Sequence, residues 1–66
     1  MSGSFNRIYV DNIIYKVKSS ISKASHLDTI EDAFICLKKF ADEIPMVFRV
    51  LYVDLKVGQY LMEQGT

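Results

Sequence analysis

Residues 45–62 read PMVFRVLYVDLKVGQYLM, and whether this stretch winds or extends decides the fold. Wound at about 100° per residue, it lines up Arg49, Tyr52, Lys56, Gln59 and Glu63 as its one polar stripe. The remaining perimeter, carrying Met46, Val47, Phe48, Val50, Leu51, Val53, Leu55, Val57, Leu61 and Met62, is apolar. That is far wider than the roughly 100° arc that suffices for a surface helix, so such a helix needs neighbours on several sides. As a strand the same residues fail to alternate. Val47, Leu51, Val53, Leu55 and Val57 would share a face with Arg49, and Phe48, Val50 and Tyr52 would share the other with Asp54 and Lys56. The β-branched content favours strands, but the pattern count favours a helix over residues 45–63.

Working outward, Pro45 would clash with the carbonyl of Ala41 inside a continuous helix and biases Ile44 away from helical geometry. A turn near residues 43–44 is expected, with Pro45 at the first position of the last helix and Gly65 as its stop. Upstream, Ala33, Phe34, Leu37, Phe40, Ala41 and Ile44 fall on one face of a helix over residues 29–43. Asp28 and Glu31 have the spacing of a capping box at its start, and the acids there complement the helix dipole. Residues 19–26, SSISKASH, are serine-dense, and serine competes with the helix for local backbone bonds. They read as the connection between two antiparallel helices. Before them, Val10, Ile13, Ile14, Val17 and Ile21 form a core-facing arc of a first helix over residues 4–22 with Ser4 as cap. Phe5, Ile8, Tyr9 and Tyr15 form a second patch on a different side. A hairpin over residues 7–17 ranks second, because Asp11-Asn12 lacks the glycine of a two-residue turn.

The expected fold is thus all-α, a small three-helix bundle in one domain, with a helix-mediated homodimer. Size supports association: with 66 residues and half of them apolar, a chain has too much surface for its volume to hide them all. Formal net charge is zero, which gives no long-range attraction to nucleic acid or anionic membrane. The first part is basic (Arg7, Lys16, Lys18, Lys23 against Asp11) and the remainder acidic, which suits antiparallel packing. Arg49, Asp54 and Lys56 interrupt the only long apolar run, so no span of a membrane is expected. The start, MSGSFNR, carries neither a leader pattern nor a glycine at position two for acylation. One cysteine, Cys36, has no internal partner and no metal-type cluster around it, which points to a reducing, cytoplasmic setting.

Asp54 projects on the side of Val47, Val50 and Leu61, and a carboxylate there must be paired, hydrated or at an edge. Pairing with a lysine or tyrosine of the first helix is the structural expectation, and a specificity lock at an interface is the functional one. Gly58, one turn on, points to close approach of another helix, since glycine costs about 1 kcal/mol against alanine there. His26 lies in the serine-rich loop with no nucleophile or second ligand at a recognised spacing. Glycines are scattered without a phosphate-cradling loop, so no catalytic residue, cofactor or metal site is expected. The functional expectation is a non-enzymatic interaction, adaptor or regulatory module. Its interface is placed on the flank of Phe48, Leu51, Leu55 and Met62, extended by Phe5 and Tyr9, rather than on the flank of Met46, Val53 and Val57. Leu55→Glu would then disperse an assembly. The alternative is a helix-turn-helix DNA-binding regulator built from the second and third helices.

Overall fold

A computed structural model describes residues 2–24 and 26–64, with side chains from Phe5 onward. Among them the chain forms three packed α-helices, α1 (Ser2–Ser20), α2 (Ile30–Lys39) and α3 (Phe48–Gln64), with a short 3-10 turn at Ala41–Glu43 and no strand. The helical reading holds over residues 48–62, with residues 45–47 in a turn, and the hairpin over residues 7–17 does not form. The stop expected at Gly65 lies outside the described residues.

The helix boundaries are shifted from expectation, and α1 ends at Ser20 rather than at residue 22. α1 begins at Ser2, so Ser4 is inside its first turn rather than capping it. At α2 the cap is Thr29, extended at φ −126° and ψ 166°, whose side chain accepts from the N–H of Asp32. The Asp32 carboxylate in turn accepts from the N–H of Asp28 at 3.3 Å. The reciprocal arrangement exists but is shifted by one residue from Asp28 and Glu31. Threonine caps nearly as well as aspartate, and a carboxylate also stands three residues beyond it. α2 stops at Lys39, and the chain tightens through Ala41–Glu43 into Ile44 at φ −133° and ψ 46°. Pro45 imposes that departure, because its ring excludes helical geometry at the residue before it. The Ile44 carbonyl accepts from both Val47 and Phe48, at 3.1 and 2.8 Å. Pro45 thus sits in an opening turn, and regular α3 starts at Phe48 rather than at Pro45.

Three contacts set the directions of the helices. The Asn6 amide donates to the Leu61 carbonyl at 3.1 Å, and Val10 faces Gly58, so α1 and α3 are antiparallel. Ile30 also reaches Gly58, while Phe34 meets Tyr52 edge-on at 5.5 Å, so α2 is antiparallel to α3 as well. α1 and α2 therefore run in the same direction, and the expectation that the serine-rich segment joins antiparallel helices is corrected. Residues 21–29 return along the bundle instead. That route explains why Ile21 and Leu27 are buried although neither is helical. The Ser22 N–H and hydroxyl both donate to the Glu43 carboxylate, at 3.3 and 3.1 Å, pinning the start of the return to the 3-10 turn.

Val17, Ile21, Leu37 and Leu55 form the driest part of the core. The expected arc of α1 is buried throughout, and so are Ala33, Leu37 and Ile44 on the α2 side. Asn6 shares the α1 core face and is the one buried polar side chain among the described residues, its amide answered by Leu61. Gly58 is where α1 comes closest. A Cβ added there would lie 3.5 Å from Val10 Cγ2 and 3.9 Å from Ile30 Cδ1 and Tyr9 Cδ1, ordinary contact distances. The glycine is therefore tolerated rather than required. Gly58→Ala should raise stability by about 1 kcal/mol through helix propensity, while Gly58→Leu should lower it. Urea unfolding of the two variants checks the sign of each.

Candidate interaction surface

The bundle measures 36 × 20 × 14 Å between Cα extremes, too slender for any helix to be enclosed on all sides. On α3 the core takes Leu51, Leu55 and Gly58. α2 covers the adjoining side through an aromatic cluster in which Tyr52 meets Phe34 edge-on and stacks on Phe48 at 5.8 Å. Lys56 lies over Phe34 and Tyr52, its ammonium 5.8 and 5.9 Å from the ring centroids, close enough for cation–π attraction. Tyr52 and Gln59 of the polar stripe are half-buried, so the stripe borders α2 instead of occupying the outermost side.

What faces outward is apolar. Met46 is 91% exposed, Val50 60% and Val53 51%, followed at helical spacing by exposed Val57 and Tyr60. From Val50 to Tyr60 these residues recur at intervals of three and four, one seam of the α3 cylinder, and Met46 precedes it in the opening turn. α1 adds a separate outer patch of Phe5, Ile8 and Tyr15, each more than half exposed. Tyr9 is half-buried against the core beside Gly58, at the α1–α3 junction.

These positions correct the expected interface. Leu51 and Leu55 are buried within their own chain, at 5% and 1% exposure, and Phe48 is half-covered against the same core. Only Met62 of that flank is exposed, near the end of α3. The flank of Met46, Val53 and Val57 is the open one, and Val50 and Tyr60 belong to it. The two flanks were equally apolar in sequence. What separates them is that α1 and α2 both pack on the side of Leu51 and Leu55, α1 meeting α3 at Gly58 and α2 meeting it at the aromatic cluster of Tyr52. No family model, no curated protein and no solved structure matches this chain. The surface has to be interpreted from its own chemistry.

Asp54 stands at the edge of the outward seam. It is half-buried, and its carboxylate takes none of the side-chain hydrogen bonds formed among the described residues. No buried side-chain nitrogen or oxygen is left without a partner there, so this carboxylate is open to solvent. The expected pairing with a lysine or tyrosine of the first helix does not form. Arg49, on the opposite edge of the seam, is exposed.

Polar features elsewhere are sparse. A cleft of about 380 Å³ opens where the start of α2 meets α1 and the end of α3, with Arg7, Asp11, Asp28, Glu31 and Glu63 on its rim. Among the described residues, no three or more His, Cys, Asp or Glu side chains are grouped to hold a metal ion. Cys36 is free and buried. Burial pushes its thiol up from the ordinary range, Glu43 adds to this and Lys39 opposes it, so the reactive thiolate is disfavoured. His26 is exposed in the return segment. No described helix is long and apolar enough to cross a membrane.

Proposed function

We propose that this chain is a non-enzymatic protein-interaction module that self-associates or docks on another protein through the outward face of α3. One observation carries the reading: the helix that supplies Leu51 and Leu55 to the core carries a second apolar row, Val50, Val53, Val57 and Tyr60, on its water-facing side, with exposed Met46 in the turn before it. Scattered exposed apolar residues are ordinary on soluble proteins. A contiguous seam along one helix is the pattern of helix-in-groove and coiled-coil recognition. The free, buried Cys36 suits a reducing compartment such as the cytoplasm, and a regulatory or adaptor role follows from the same surface. A DNA-reading role is less well supported. Residues 40–47 separate α2 from α3, longer than the three- or four-residue turn of that motif, and valines offer base edges no hydrogen-bond donors.

A photocrosslinking residue placed at Val53 of the full chain, in cells that produce it, tests the reading. A discrete protein adduct is expected, and it should disappear when Val57→Glu is added, with helical content unchanged. Absence of any adduct would overturn the reading.

A further inference from the structure

We infer that the occupant of the outward α3 face is a second copy of this chain, its α3 running parallel to the first. The inference rests on the interaction reading above and adds the identity and direction of the partner. Read as heptads within α3, Val50 and Val57 fall at position a and Val53 and Tyr60 at position d, with Met46 preceding them in the opening turn. Position e then holds Asp54 and Leu61, and position g holds Arg49, Lys56 and Glu63. Within a parallel coiled coil, valine at a suits a two-stranded pairing, and here position d lacks the leucine that completes that preference.

Charge selects the direction. In a parallel pair a g residue faces the e residue five positions on in the other helix, so Arg49 meets Asp54 of the second copy. Symmetry makes that contact twice. Lys56 would meet Leu61, and its ammonium is already drawn aside over Phe34 and Tyr52. An antiparallel pair would instead set e against e and g against g: Arg49 would meet Glu63 of the second copy twice, but Asp54 would lie near Asp54 and Lys56 near Lys56 about the two-fold axis. The parallel arrangement gives the half-buried Asp54 a cation, which its own chain does not.

Area sets the strength. A standard interface takes about 800 Å² from each partner, about a sixth of the 4736 Å² surface of this chain. A 17-residue helix is about 25 Å long, and one seam of it falls short of that area. Association should therefore be dilution-dependent at micromolar concentration rather than permanent.

Sedimentation of the full chain over a wide concentration range, alone and with charge reversals, is the experiment. Arg49→Asp and Asp54→Arg should each weaken self-association about tenfold, the size expected when two edge ion pairs become repulsive. Mixing the two variants should restore it, because each unlike pair then brings aspartate against arginine. Under mild oxidation Val53→Cys should form a symmetric disulfide dimer, since parallel register places the two copies of position 53 together. If Asp54→Arg does not fold, Arg49→Asp should still dissociate the dimer, and adding Asp54→Asn should recover part of the loss. A dimer that ignores the charge changes and forms no such disulfide would overturn the parallel pairing. A monomer at every concentration would overturn the second copy as occupant. A crosslinked adduct at Val53 with a different protein would then leave the interaction reading standing, and no adduct would remove both.

Discussion

Leu55→Glu is expected to unfold the chain. Leu55 is 1% exposed at the centre of the core, beside Val17 and Leu37 in the same buried cluster. Deleting a buried leucine side chain alone costs about 2–5 kcal/mol. Glutamate adds the penalty of a carboxylate with no partner in an apolar site, which is several kcal/mol unless it takes up a proton. A domain of this size has about 3–10 kcal/mol of total stability, and the combined loss is of that size. Circular dichroism should show loss of helix at neutral pH and partial recovery on acidification, as the buried carboxyl becomes neutral. A soluble, fully helical Leu55→Glu monomer would show instead that this position faces outward, as the sequence alone suggested.

The second large effect is expected of Leu37→Ala, where α2 is anchored. Leu37 has no exposed surface, and its truncation leaves a cavity beside α1 and α3 worth about 2–5 kcal/mol. The smaller end of that range leaves a folded but weakened chain, and the larger end leaves it mostly unfolded. Protein concentration discriminates further. If folded chains pair and unfolded ones do not, mass action stabilises the fold, and the melting temperature of Leu37→Ala should rise on concentrating the sample. Thermal unfolding at two concentrations a hundredfold apart reads this directly, and an unchanged midpoint would separate stability from association.

Much of the fold was legible because it rests on periodicity and punctuation. The α1 arc of Val10, Ile13, Ile14, Val17 and Ile21 announced a core face at helical spacing, and all five are buried. Pro45 announced a break, and regular α2 ends before it, at Lys39. Two things were not legible. The directions of α1 and α2 depend on where residues 21–29 run, and serine density signals only that the helix ends. The open flank of α3 depends on which side its neighbours approach, and a helix apolar nearly all round cannot specify that by its own pattern. Asn6 was readable and missed: it stands four residues before Val10 on the core arc, where a lone amide implies a partner. That partner, a carbonyl 55 positions later, could not be found from sequence.

The return of residues 21–29 has a kinetic consequence. Because α1 and α2 run the same way, no helical hairpin of two adjacent segments can form early from them, and the contacts that fix α1 come from the far end of the chain. The α2–α3 pair can form locally through residues 40–47, so the docking of α1 is the step that closes a large loop. During synthesis the α1 segment is made first, yet it must wait for α3 before its apolar arc finds shelter.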